Sequence, residues 1–326
     1  MGKQSSLNGS RLYCSIQTYI DEVFFSLVDY RNSRFTSENP DKIIEFYDSF
    51  KNRDDLIEWM KERPKGVANI YEVDGDKEII VIIPTADFNG KYVKECKENI
   101  FNGLHMIFVE SGGKGDFYFN YAHNCNVGIK KALEYNPKWV VVSNDDMYKI
   151  DEKEVLIKDL SRIQQDKEIV FSPYGDLIVE ASKMARLSTV GRILTRILLN
   201  LKIKTIDLRV IENRIKFKAI YTRRKARFAL TDIFFSKEEG VFMISGVFNI
   251  FRADFCKRFN GMMFDETFIN GDEDTDLYLQ INTNGIRAGI INYKIGNLLG
   301  KSLGQGKDRR LRSVASEAYL NYKRFK

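Results

Sequence analysis

From Lys77 to about Lys167 the chain switches repeatedly between apolar runs and stretches with helical spacing: KEIIVIIPT, YVKECKENIF, LHMIFVESGG, YAHNCNVGIKKALEY and KWVVVSNDD. Strands that alternate with helices of roughly 10 to 15 residues are joined by crossovers, which lay the strands parallel in one sheet and put helices on its faces. Runs of Val and Ile without polar alternation fit strands covered on both sides. The pattern therefore predicts an α/β, Rossmann-like, mostly parallel sheet flanked by helices. No GxGxxG follows the first strand, so a dinucleotide-dependent dehydrogenase fails at its most diagnostic point. A nucleotidyltransferase of similar topology is disfavoured as well, because no glycine-rich, basic phosphate loop follows that strand.

The run VVVSNDDMYKI at 140–150 raises a chemical question. Ligands of open α/β sheets sit outside the carboxyl ends of the strands, and here a buried run ends in Asn144, Asp145 and Asp146. Adjacent carboxylates repel one another, and both stay ionised in a cleft only with a cation nearby. Mg²⁺ or Mn²⁺ suits such a place, because it takes oxygen ligands from one or two carboxylates plus substrate phosphates.

Around this core the spacing predicts three additions. Residues 1–75 read as a helical N-terminal extension, with KIIEFYDSF after Asn39-Pro40-Asp41 and then DDLIEWMKE. Residues 76–303 form the main domain, with a basic, partly helical insertion at 183–238, and 304–326 read as a basic C-terminal helix. With 326 residues, 44% of them apolar and 29% charged, the chain can bury a sizeable core. It has no apolar run long enough for a membrane span and no signal-peptide core at its start, so the expectation is a soluble, cytoplasmic protein. Cys14, Cys96, Cys125 and Cys256 are far apart, and His105 and His123 do not group with them. That spacing argues against zinc and against Cys-His or Ser-His catalysis.

Charge is concentrated. Between Lys183 and Leu230, 14 Lys and Arg face two acids, a local balance of +12 in a chain whose total is only +6. GRILTRILLNLKIK mixes basic and apolar residues as an amphipathic helix on an anionic membrane surface does, which would make the protein peripheral on the cytoplasmic face. The alternative is a solvated helical hairpin that packs its apolar face on the core. Nucleic acid is the weaker partner, since no reading motif accompanies the basic residues.

Five stretches in order, IIVIIPTADFNG, FVESGG, NCNVGIKKAL, VVVSNDDM and FDETFINGDEDTDL, resemble a family 2 glycosyltransferase with the GT-A fold over about residues 77–303. The resemblance implies an inverting transfer of a sugar from a nucleotide-diphosphate sugar, UDP-sugar first, to a hydroxyl of a glycan, a lipid-linked glycan or a protein glycan. Asn144-Asp145-Asp146 falls on the family's Asp-X-Asp position, which implies Asp146 as metal ligand with Asn144 beside it at the metal, and Asp145 and Asn144 at the donor. Pro84 and Thr85 match the turn that approaches the nucleoside, Asp87 and Glu110 match polar positions at the base or ribose, and Asn120 and Asn126 lie on the helix that faces the base.

On the acceptor side, Gly246 matches the acceptor loop, and Asp272, Glu273 and Asp274 crowd the start of a helix. Acids in a first helical turn also suit the helix dipole without any catalytic role. By resemblance Asp274 is the general base, Glu273 its neighbour at the acceptor and Asp272 an acceptor contact. Asn297 stands where relatives carry a metal-binding histidine, and the implied cofactor is Mn²⁺ or Mg²⁺, with an Asn297 oxygen or water completing the shell. Asn144 and Asn297 also keep open an alternative: a weak or inactive GT-A-fold protein that binds a nucleotide sugar or glycan.

Overall fold

The computed structural model describes residues 30–111, 117–172, 247–269, 271–298 and 307–324. After a helical stretch at 30–35, two capped helices follow. Helix α1 (Pro40–Asp48) is capped by Asn39, whose side chain accepts the Asp41 N–H at 2.9 Å, and Pro40 needs no donor at the first helical position. Helix α2 (Arg53–Glu62) is capped in the same way by Asn52, which accepts the Asp55 N–H at 3.0 Å. The stretch NIYEV belongs to the region expected to be helical, but it forms strand β1 (Asn69–Val73) at a sheet edge. Its β-branched and aromatic residues favour a pleated, half-exposed surface.

The alternation that follows folds as its spacing predicts. Strand β2 (Asp76–Thr85) leads to helix α3 (Lys91–Glu95), which runs into a π-helical turn at Cys96–Ile100, and then to β3 (Leu104–Glu110). Helix α4 (Tyr121–Leu133) precedes β4 (Trp139–Ser143). After β5 (Met147–Lys149), α5 (Lys153–Arg162) and β6 (Ile169–Phe171), the described chain resumes with β7 (Phe248–Arg252) and α6 (Ala253–Arg258). It ends with α7 (Glu273–Thr283), β8 (Ala288–Ile290), β9 (Ile295–Asn297) and α8 (Lys307–Arg324).

Seven strands make one sheet in the order β1-β3-β2-β4-β7-β6-β8, and β5 pairs with β9 in a small second sheet. The large sheet is mixed rather than mostly parallel. β2 runs parallel to β3 and β4, and β6 to β8, whereas β1 opposes β3, and β7 opposes both β4 and β6. A strand's own residues do not encode its direction; the path of its connection does. β7 enters only after residue 247, from the far side of the basic insertion, and the insertion itself lies outside the described residues.

Two apolar layers cover the sheet. Ile79, Val81, Ile83, Phe108 and Val141 pack with Val93, Cys96 and Ile100 on one face, and Ile80, Ile82, Ile107, Val109 and Val142 pack with α4 on the other. Helix α4 comes close through Gly128, where a Cβ would lie 2.3 Å from Ile82 Cγ2 and 3.0 Å from Val109 Cγ2. A third cluster joins α1 and α2 to α8: Phe46, Tyr47, Trp59 and Met60 pack against Leu311, Ala315 and Tyr319, with Phe268 and Ile269 in the same cluster. The Tyr47 hydroxyl donates to the Leu311 carbonyl at 2.7 Å and accepts from the Ala315 N–H at 3.0 Å, so this contact is polar as well as apolar. No helix among the described residues is long and apolar enough to cross a membrane.

Candidate active site

Register sets out the first part of the site. Pairing of β2 with β3 puts Thr85 beside Glu110 at the carboxyl ends of both strands, and Pro84 is buried one residue earlier. The Thr85 hydroxyl donates to Asp145 Oδ2 at 2.7 Å, which ties the end of β2 to the acidic turn after β4. Asp145 is only 6% exposed. Burial pushes its carboxyl up to about 6 against the effect of the Thr85 bond, and the adjacent Asp146 carboxylate adds to the rise. Beside it, Asp87 closes its own loop by accepting the Asn89 N–H at 2.9 Å, and Glu110 Oε1 accepts the Phe88 N–H at 2.9 Å. Tyr71 from the edge strand donates its hydroxyl to Glu110 and stacks on Phe88 at 4.3 Å between centroids.

Asp146 is 1% exposed, and its oxygen Oδ1 accepts from Asn297 Nδ2 at 2.9 Å. The small sheet brings this about: Met147 pairs with Asn297, and the Leu298 N–H donates to the Asp146 carbonyl at 2.9 Å. The Asn297 amide turns its nitrogen, the donor, towards the accepting oxygen of Asp146. Asn297 thus stands beside Asp146, and its amide nitrogen is a donor that orients that carboxylate. The Asn144 Oδ1 accepts the Tyr121 hydroxyl at 2.9 Å. Among the described residues no group of three or more His, Cys, Asp and Glu side chains is placed to hold a metal. The two carboxylates of Asp145 and Asp146 still fit Mg²⁺ or Mn²⁺, which takes most of its shell from water and substrate phosphates, and Asn297 then acts from the outer shell.

The second acidic stretch arrives on α7. Gly271 at φ 129° and Asp272 at φ 68° make the sharp entry to that helix, and Asp is one of the few side chains that tolerates the left-handed region. The Asp272 carbonyl accepts the Asp276 N–H at 2.9 Å, and Asp274 Oδ1 accepts the Thr275 N–H at 2.7 Å. Burial pushes the half-buried Glu273 carboxyl up to about 8, and the neighbouring Asp274 and Asp272 carboxylates push the same way. Asp276 belongs elsewhere: it is buried and accepts from Lys323 at 2.8 Å and Gln280 at 2.6 Å, which anchors α8.

Tyr121 is linked to the first acidic stretch through Asn144. It donates to Asn144, and its own hydroxyl is pushed far up by burial, by Cys125 and by the Glu273 and Asp274 carboxylates. The phenol is bonded to the end of β4 and feels the charge of the acids at the start of α7. Sequence reasoning missed Tyr121, and nothing in its neighbourhood except its place at the first position of a helix marks it.

Asn120 and Asn126, expected on the helix that faces the base, both bond to the chain itself. Asn120 caps α4 by accepting the His123 N–H at 2.9 Å, and donates to the carbonyls of Glu266 and Phe268 at 2.7 and 3.2 Å. Asn126 donates to the Phe264 carbonyl at 2.8 Å and Glu266 Oε1 at 3.0 Å, and accepts the Phe264 N–H at 3.0 Å. Both are buried with their amides spent on the 264–268 segment, so they hold that segment against α4. Gly246 lies outside the described residues, as do Gly112, Gly113 and the basic stretch 183–230.

Comparison with known proteins finds no family model that matches the chain and no curated protein that matches it.

Proposed function

We propose that the chain is a GT-A-type glycosyltransferase, which moves a sugar from a nucleotide-diphosphate sugar to an acceptor hydroxyl with inversion. The observation that carries this reading is the acidic turn Asn144-Asp145-Asp146 at the carboxyl end of β4, tied to the end of β2 through Thr85, in a chain that opens α7 with a second acidic stretch, Asp272-Glu273-Asp274. Such a transfer needs charge neutralisation where the diphosphate leaves and a base where the acceptor hydroxyl attacks. A divalent ion, held by Asp145 and Asp146, would neutralise the departing diphosphate.

The chain's own residues carry the rest of the proposal. Thr85 orients Asp145, Asn297 orients Asp146, and Glu110 with Asp87 lines the nucleoside end beside the Tyr71-Phe88 stack. Asp274, an anion at a helix N-terminus, takes the acceptor proton. Glu273, neutral at pH 7, donates a hydrogen bond at the acceptor, so two adjacent carboxyl groups divide the roles of base and donor. The acceptor is a glycan, free or lipid-linked.

The amide nitrogen on Asp146 favours a second reading, a binding protein of the same fold with little turnover. One screen separates the two: thermal shift and hydrolysis of UDP-, GDP- and dTDP-sugars, with and without Mn²⁺ or Mg²⁺. Stabilisation by one donor that is lost in Asp146→Ala, together with hydrolysis that falls in Asp274→Asn, supports the transferase. Stabilisation without hydrolysis supports the binding protein, and no response to any donor overturns both.

A further inference from the structure

A pocket of about 420 Å³ lies away from these acids, between the N-terminal helices and α8, and its walls include Lys61, Lys65, Phe264, Asp265, Glu266 and Lys323. We propose that this pocket binds a small anion bearing a phosphate monoester, and that it does so independently of the reaction proposed above. Its volume is within the range of small-molecule sites, roughly 300 to 1,000 Å³. Gln280, also on its wall, sits seven residues into α7 from Glu273, or roughly 10 Å along the helix axis, so the pocket is separate from the acidic cleft.

The charges identify the ligand class. The two acids of the wall are already satisfied from within: Asp265 accepts from Lys323 at 2.7 Å, Tyr319 at 2.9 Å and the Thr267 N–H at 2.9 Å. Glu266 is held by Asn126 and His123, each at 3.0 Å. Lys323 divides its ammonium between Asp265 and Asp276 and is likewise committed. Lys61 and Lys65 differ. Among the described residues neither has a carboxylate within 4.0 Å, and Lys61 lies 5.5 Å from the centre of the Tyr322 ring.

Lys65 is half-buried. Burial and the nearby Arg63 guanidinium lower its pKa, and the more distant Glu266 and Asp265 carboxylates offset this only in part, as an ammonium without a close anion requires. Two ammonium groups without a contacting carboxylate match a phosphate monoester, which carries about −1.5 to −2 at pH 7, and lysine binds phosphate well as a point charge. Phe264 and Met262 offer an apolar wall for the rest of such a molecule.

The test is calorimetric titration of the full chain with phenyl phosphate and with inorganic phosphate, at constant ionic strength in chloride. Expected is saturable 1:1 binding, weakened roughly 10-fold by Lys61→Gln and by Lys65→Gln, retained by Lys65→Arg and unchanged by Asp146→Ala. Met262→Glu, at a wall position 41% exposed, adds a repelling carboxylate without entering the core and should weaken binding even if a lysine variant folds poorly. No saturable binding, binding that survives in the Lys61→Gln/Lys65→Gln double variant, or binding lost in a folded Asp146→Ala variant would overturn the proposal.

Discussion

A carboxylate out of water depends on the few donors that reach it, and Asp145 shows this at the scale of a single bond. Its Oδ2 receives the Thr85 hydroxyl at 2.7 Å while both residues are 6% exposed. Thr85→Val keeps the shape and removes the donor, so it should lower stability by about 1 to 3 kcal/mol in denaturant unfolding. Glu273 gives a pH test with a definite sign. Its carboxyl is raised from 4.5 to about 8, so between those values the fold holds a proton that the unfolded chain has released. Stability from this group is therefore lost as pH rises from 4.5 to about 8 and is constant above. Glu273→Gln removes that slope, and melting temperatures over this range should fall less steeply with pH than in the natural chain. Equal slopes would sink the assignment. Tyr121→Phe deletes the bond to Asn144 at an otherwise packed ring; under the proposed function it should weaken donor binding several-fold, on the scale of one hydrogen bond. Circular dichroism would check that the fold is kept.

At the scale of elements, the contact of α4 with β2 and β3 sets two effects against each other. Gly128→Ala would gain up to about 1 kcal/mol of helix propensity. It would also drive a methyl group to within 2.3 Å of Ile82 Cγ2, on a close-packed sheet face. Over-packing of that kind costs about 1 to 3 kcal/mol, so packing wins and the variant should be destabilised. A melting temperature at or above that of the natural chain would show that the helix moves aside freely. The same contact explains the asparagines of α4. Helical spacing told that Asn120 and Asn126 share a helix but not what lay opposite, and the 264–268 segment lies more than a hundred residues away in sequence.

At the scale of the molecule, the helices of residues 35–60 and α8 form one packed unit with its own aromatic core. Phe46 is fully buried and meets Trp59 at 4.8 Å and Phe50 at 5.0 Å between ring centroids. Phe46→Ala should cost about 3 to 5 kcal/mol. Because α8 packs on the same cluster, the variant should also expose the C-terminal helix to protease, and limited proteolysis would show cleavage near residues 307–324 at lower protease concentration. An intact C-terminus in that variant would mean that α8 is held by Lys323 and its two carboxylates rather than by the core.

Everything that depends on near neighbours was legible in the amino-acid order. Apolar runs placed β2, β3 and β4, helical spacing placed α1, α2, α4 and α8, and a polar break after three valines placed Asp145 and Asp146 at a strand's carboxyl end. Whatever depends on distant partners came from the assembled fold. It turned β7 against its neighbours, drew NIYEV into the sheet, set the nitrogen of Asn297 on Asp146, spent Asn120 and Asn126 on a loop and bonded Tyr121 to Asn144. The cause is direction. Periodicity says which side chains share a face, but which way a strand runs and which atom of an amide meets a carboxylate are settled only when remote segments come together.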